Sequence, residues 1–414
     1  MSTSRIAVTH VGSLPRPDAL IEANRQRLEA GGELKGFAGI LSTAVEDVVA
    51  KQKAVGITIP NDGEYGKAMS GRVDYGAWWS YSFQRVGGTE LAQLDPDAAP
   101  PTHRSTPGHI VLTSFPDRRD WTEFAEAYAD PTSGIHIAAR GGFALPVATG
   151  PISYTGQDQV ASDIANLKAA LAKNDYRTED GFITSVSPGS AARIGNAYYK
   201  TEEEFIYAWA DVMREEYKAI LDAGLTLQID DPSIAENWDQ IKPEPSVEDY
   251  LAFTKIRIDA INLAVRGLPQ DRIRLHICWG SWHGPHTTDI EFRHIVNLVL
   301  QANVGAYSFE GANARHEHEW KIWKDVKLPE GKKIIPGVVG HATNVVEHPE
   351  LVADRIENFA RLVGSENVVA STDCGLGGRI HPQIAWAKLE ALGKGAAIAS
   401  ERLFGTGAPT SVAG

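Results

Sequence analysis

Short apolar runs recur along the chain, each closed by a polar or glycine-rich cluster and separated from the next by a stretch of helical periodicity. The runs cover residues 6–11, 57–61, 147–153, 182–186, 225–229, 273–277, 305–309, 334–339 and 368–371. Such runs predict strands, and strands alternating with helices predict a parallel sheet. The helical stretches carry their own signals. Over 203–223, Phe205, Trp209, Val212 and Ile220 share one face, and Gly224 follows as a stop. From Pro349 onward, Val352, Ile356, Phe359 and Val363 repeat the pattern, with the proline in the first turn and Gly364 after the end.

Each helix feeds the next strand, the rhythm of an α/β chain folded as a single (β/α)8 TIM barrel. Nine runs compete for eight places, and 147–153 and 182–186 are the ambiguous pair. Residues 75–145 are rich in Trp, Pro, Gly and Asp with weak periodicity. They predict an insertion on one catalytic domain spanning 1–414, not a second domain. A doubly wound sheet is the alternative, but no Gly-x-Gly-x-x-Gly turn follows an early strand.

Composition narrows the partners. The net charge of -13 disfavours nucleic acid and anionic membranes. The apolar runs are far shorter than a membrane span, and "MSTSRIAVTHVGSLPRP" lacks an apolar signal core, so a cytoplasmic protein acting on small molecules is expected. Two cysteines make no disulfide framework and are expected as thiols.

In a barrel, chemistry gathers at the C-terminal ends of the strands. Here those ends read Gly12-Ser13, Asp62-Gly63-Glu64, Asp230-Asp231, His276 with Cys278, Glu310, His341, and Asp373-Cys374. His276 and Cys278 are two apart on a strand and so face the same way. His, Cys and carboxylate are zinc donors, and soft thiolates select zinc over magnesium. On pattern alone the two cysteines read equally as buried small hydrophobes.

The motifs "HVGSLPRP", "LQIDDP", "LHIC", "SFEGAN", "GVVGH" and "STDCGLG" occur in an order that resembles the C-terminal catalytic barrel of cobalamin-independent methionine synthase. The resemblance implies a zinc held by His276, Cys278, Glu310 and Cys374. It implies His341 as general acid, Glu64 and Asp230 beside the amine of the thiol substrate, and Gly12-Ser13 beside its carboxylate. Zinc would remove the proton of a thiol whose ordinary pKa is about 8.5, and a histidine would protonate the leaving group. The activity implied is zinc-dependent thiol alkylation: a homocysteine-like thiolate attacks 5-methyltetrahydrofolate or methylcobalamin. The alternative is epoxide opening of the epoxyalkane:coenzyme M transferase type. "SPGS" followed by a tyrosine pair is similar to the short single-barrel relatives that include that transferase. The family's folate-stacking Trp has no counterpart in "TGPISYTGQ" or "SVSPGSAARIGNAYY"; Tyr154, Tyr198 and Tyr199 are the aromatic residues there.

Two readings of other classes compete with alkylation. A decarboxylase on a related barrel needs no zinc, and a binding protein would use a closed zinc site for stability alone. Lesser features are Arg16 as an anion contact or surface cation, and "RHEHEW" (315–320) as a second metal cluster or a solvated or site-rim turn. His283 and His286 read as loop residues or site lining.

Overall fold

The computed structural model describes residues 5–32, 34–72, 76–92, 103–136 and 145–405. Its ten strands among these are β1 (Ala7–Val8), β2 (Val86–Leu91), β3 (Pro146–Tyr154), β4 (Phe182–Val186), β5 (Gly195–Asn196), β6 (Thr226–Asp230), β7 (Ile273–His276), β8 (Ala306–Phe309), β9 (Lys333–Val339) and β10 (Val369–Thr372). Seven form one curled sheet in the order β1-β10-β9-β8-β7-β6-β4, every neighbouring pair parallel.

The helices between them end where the sequence signals stand. Thr201 caps the helix Glu202–Asp222 by accepting from the Glu204 N–H at 3.0 Å, and three glutamates fill the first turn, where the helix dipole favours them. Its buried face carries Phe205, Trp209, Val212, Met213 and Ile220. Pro349 opens the helix Pro349–Val363, and Gly364 closes it at φ 91°, a conformation that side chains avoid. No helix among the described residues is long and apolar enough to cross a membrane.

The inside of the sheet is filled by a polar plug. Arg274 donates to Gln228 Oε1 at 2.7 Å, Thr9 Oγ1 at 3.0 Å and the His10 carbonyl at 2.9 Å, with its guanidinium 3.5 Å from the centre of the Phe182 ring. Residues 57–61 bond to both edges of the sheet without counting as a strand. Thr58 and Ile59 donate to the Val8 carbonyl, and the Pro60 carbonyl accepts from Phe182 in β4.

The ambiguous pair separates. Residues 182–186 belong to the main sheet, buried throughout. Residues 147–153 do not. They lie in β3, which pairs antiparallel with β2 and parallel with β5 in a separate three-stranded sheet. The reason is in the run itself: Gly150-Pro151 falls at an irregularity in the β2–β3 pairing, and proline inside a sheet is confined to such bulges and to edges. The expected insertion therefore extends past residue 145, to the end of β3 at Tyr154; of its expected span, residues 75, 93–102 and 137–144 lie outside the described residues. It is tied down by buried charge. Arg85 lies 2.5 Å from Asp163 and 3.0 Å from Glu216, which also accepts from Tyr81, Tyr154 and Ser185. Residues 103–136 strap across the loops after β6 and β7. Thr113 N–H donates to the Gln240 carbonyl at 2.7 Å, and Trp282 Nε1 to Tyr128 Oη at 3.0 Å. Arg118, fully buried, pairs with Glu236 at 2.7 Å and lies 4.1 Å over the Trp282 ring.

Candidate metal centre

Sheet register assembles the site. Asp230 of β6 stands opposite His276 of β7, and His276 opposite Ser308 of β8. Side chains of a strand alternate, so residues two further on face the same way. Cys278 is two past His276 and Glu310 two past Ser308. His341 is two past Val339, the residue that pairs with Thr372, and Cys374 is two past Thr372. Four loops thus deliver their donors to one end of the sheet.

The donor atoms of His276, Cys278 and Cys374 all lie within 4.8 Å of one another. His276 Nδ1 sits 3.1 Å from Ser308 Oγ, and its Nε2 is buried and without a hydrogen-bond partner among the described residues. The hydrogen bond from Cys278 holds the Cys374 thiol well below its ordinary range, and His276 acts in the same direction; Cys278 is pushed up in exchange. A buried orphan imidazole nitrogen beside two sulfurs, one of them thiolate-like, is a donor set that suits a soft, borderline cation such as zinc.

Glu310 stands apart from this trio. Its oxygens accept from the Trp279 N–H at 3.0 Å and from Asn313 Nδ2 at 2.6 Å. With His341 and Asp373 it forms a second group whose ligand-type atoms lie within 4.8 Å of one another. Burial first, then Asp373, push its carboxyl well above the usual range. It remains close enough for its charge to act on both cysteines. His341 is 1% exposed with both ring nitrogens unpartnered among the described residues, and burial pushes it down to about 3, so it is neutral at pH 7. Its turn is pinned from behind: Glu347 accepts from Gly340 N–H at 2.8 Å and pairs with buried Lys388.

The opposite side of the mouth is carboxylate-rich. Asp230 is pushed up to about 7 by burial, against the pull of His276 and Lys67. Glu64 Oε1 accepts from Thr184 at 2.7 Å, whereas Oε2 is buried without a partner among the described residues. Gly12, at φ 127°, lets Glu64 approach: a Cβ there would stand 2.8 Å from Oε1. Ser13 Oγ accepts from Arg16 at 2.7 Å.

Several minor expectations need correction. Arg16 is neither a surface cation nor an open anion contact: it is 4% exposed and donates to Ser13 and to the carbonyls of Leu14, Glu64 and Lys67, stitching two loops together. "RHEHEW" is only partly solvated: Arg315 and His318 are exposed. His316 is buried between Asp289 at 3.1 Å and Glu319 at 2.9 Å, and stacks on Trp279. His286 is no plain loop residue but pairs with Asp289 at 3.0 Å, while His283 sits 3.2 Å from the His341 carbonyl. Tyr154 is spent on Glu216.

Three residues to which the sequence reading gave no role, Asp373, Asn313 and Lys67, shape the site. Asp373 accepts from the N–H groups of Gly311 and Ala312, both at 2.8 Å, and with Asn313 it fixes the loop that carries Glu310. Its place beside Cys374 was the available signal. Lys67, among the carboxylates, lies in a turn without a motif.

The chain matches the family described as "Cobalamin-independent synthase, Catalytic domain" over residues 180–397. It is 24% identical to the methionine synthase of Sulfolobus acidocaldarius over 409 residues, covering 96% of this chain and 93% of that protein. It is 25% identical to the 2-hydroxypropyl-CoM lyase of Xanthobacter autotrophicus over 235 residues, 50% of this chain and 57% of that protein. In fold it is similar to the B12-independent methionine synthase of Shewanella sp. W3-18-1, solved with selenomethionine, at TM-score 0.69 and 19% identity, covering 96% of this chain and 99% of that one. The match to the family runs over more than half of the chain and includes every strand that supplies the sulfur and imidazole donors, and so the chain is an enzyme that belongs to the cobalamin-independent synthase family.

Proposed function

We propose that the chain is a zinc-dependent thiol methyltransferase in which a homocysteine-like thiol is alkylated at sulfur. The observation that carries this reading is the convergence of His276, Cys278 and Cys374 within 4.8 Å, with an unpartnered buried imidazole nitrogen among them. These three would hold the zinc, with Glu310 as the neighbouring fourth donor. Zinc, when bound, supplies deprotonation of the substrate thiol near neutral pH. The methionine synthases among its relatives support methyl transfer to homocysteine.

The chain's own residues do the rest. Glu64 and Asp230 receive the substrate ammonium, and Gly12-Ser13 faces its carboxylate. His341 is the group that delivers a proton to the leaving atom. R–SH and CH3–X give R–S–CH3 and H–X, or, where X is cobalt, R–S–CH3, X− and a proton released to water. The segment 57–61, bonded to both edges of the sheet, acts as the eighth stave of a (β/α)8 barrel, with 1–414 as one catalytic domain. The similarity to 2-hydroxypropyl-CoM lyase favours a second reading, attack of the same activated thiol on an epoxide. The test is product analysis after incubating the zinc-loaded enzyme with homocysteine and methyltetrahydrofolate, methylcobalamin or a short epoxide. Methionine from either methyl donor is the expected result. A hydroxyalkyl thioether from the epoxide alone would favour the second reading, and alkylation of no thiol would overturn both.

A further inference from the structure

One buried cation stands among the carboxylates without a part in the mechanism above. Lys67 is 4% exposed. Its ammonium donates to Thr184 Oγ1 at 2.6 Å, lies 3.5 Å from Glu64 Oε1 and sits 4.4 Å from the centre of the Tyr81 ring. Thr184 Oγ1 in turn donates to Glu64 Oε1 at 2.7 Å. The direction of this chain is forced. An ammonium has donors only, so the hydroxyl must accept from it, and the hydroxyl's single proton then goes to Glu64. A hydroxyl polarised by a neighbouring cation is a stronger donor to a carboxylate.

The backbone of Glu64 is clamped as well. It sits at φ 61°, in the left-handed region that side chains avoid. Its N–H donates to Asp62 Oδ1 at 2.9 Å, and its carbonyl accepts from Arg16 at 2.6 Å and from the Lys67 N–H at 3.0 Å. With backbone and Oε1 fixed, the remaining hydrogen-bonding capacity of the residue is Oε2, which is buried and has no partner among the described residues. An unpaired buried carboxylate oxygen is costly, and a ligand donor that satisfies it recovers that cost.

We propose that Lys67 is a positioning residue for thiol recognition: through Thr184 it orients Glu64 so that Oε2 is presented to the substrate's ammonium group. It also offsets one of the two formal negative charges that Glu64 and Asp230 bring to the mouth. The consequence is a selectivity built into the fold. A thiol that carries an amine satisfies Oε2, and a thiol without one leaves it unpaired. This inference rests on the assignment of Glu64 and Asp230 to the amine.

The test is calorimetric binding to the full, zinc-loaded chain of homocysteine and of 4-mercaptobutanoate, which lacks only the amine. The wild-type protein is expected to prefer homocysteine by on the order of tenfold to a hundredfold, the size of one charge-assisted hydrogen bond. Lys67→Met is expected to remove most of that preference by weakening homocysteine alone. Thr184→Val, which keeps side-chain shape and overall charge, is expected to do the same, and Lys67→Arg to restore much of it. Melting curves and zinc content identify the variants that fold. Folded Lys67→Met and Thr184→Val proteins that keep the full preference overturn the role of Lys67 and leave the amine assignment standing. A wild-type protein that binds both thiols equally overturns the amine assignment and the role of Lys67 with it.

Discussion

His316 is wedged between two carboxylates, and replacing it with alanine removes the partner of both. Its Nε2 lies 3.1 Å from Asp289 and its Nδ1 2.9 Å from Glu319, at 3% side-chain exposure. Burial alone would lower its pKa, but the hydrogen bonds to Asp289 and Glu319 outweigh it and carry the imidazole from 6.5 up to about 10. At 1.36 kcal/mol per pKa unit that rise corresponds to at most roughly 5 kcal/mol of folding stability. Breaking a buried pair costs about 3–5 kcal/mol. Here the lower end applies, because Asp289 keeps His286 and Glu319 keeps the Phe292 N–H. The expected loss for His316→Ala is therefore about 3 kcal/mol, read from urea unfolding at pH 7. The sign with pH follows from the raised value. The folded state holds a proton that the unfolded chain releases above 6.5, so the stabilisation is complete below 6.5 and is lost as pH rises through about 10. The wild type should weaken steadily over that window and the variant less. There is a local consequence too: His316 stacks on Trp279, whose N–H donates to Glu310, so the variant should also hold metal less tightly. A variant within about 1 kcal/mol of wild type, or one with the full alkaline slope, refutes this reasoning.

Cys278→Ser and Cys374→Ser are each expected to lose most of the bound zinc, measured by elemental analysis, because a hydroxyl neither ionises nor binds a soft cation as a thiolate does. His341→Asn should keep zinc content and thiol affinity while cutting turnover on methylfolate or an epoxide by about 10²–10⁴-fold, and should change turnover on methylcobalamin little, since a cobalt leaving group needs no proton.

The sulfur site was legible because the chain has only two cysteines and both end apolar runs; period-two alternation then aligns His276 with Cys278. The helix Glu202–Asp222 was legible from its apolar face and from Gly224. What stayed hidden depends on tertiary placement. The run 147–153 has the apolar content of a stave, and only its Gly-Pro pair signals a bulged strand of another sheet. The orientation of Glu310 is set by Asn313 and the Trp279 N–H, neither of which composition reveals. His316 and Glu319 lie in a stretch of alternating charge that reads as surface, yet Asp289, from another loop, folds over them. Lys67 donates to Thr184, 117 residues away in sequence, a contact that no local pattern reveals.

The central claim is that a thiol substrate is activated on a zinc held by the donors of β7, β10 and the loop after β8. X-ray absorption at the zinc edge, recorded on the zinc-loaded enzyme with and without homocysteine, tests it most directly. The account predicts two sulfur neighbours at about 2.3 Å from Cys278 and Cys374, with nitrogen from His276, and a third sulfur once homocysteine binds. A spectrum without two protein sulfurs, or one in which saturating homocysteine adds none, contradicts it.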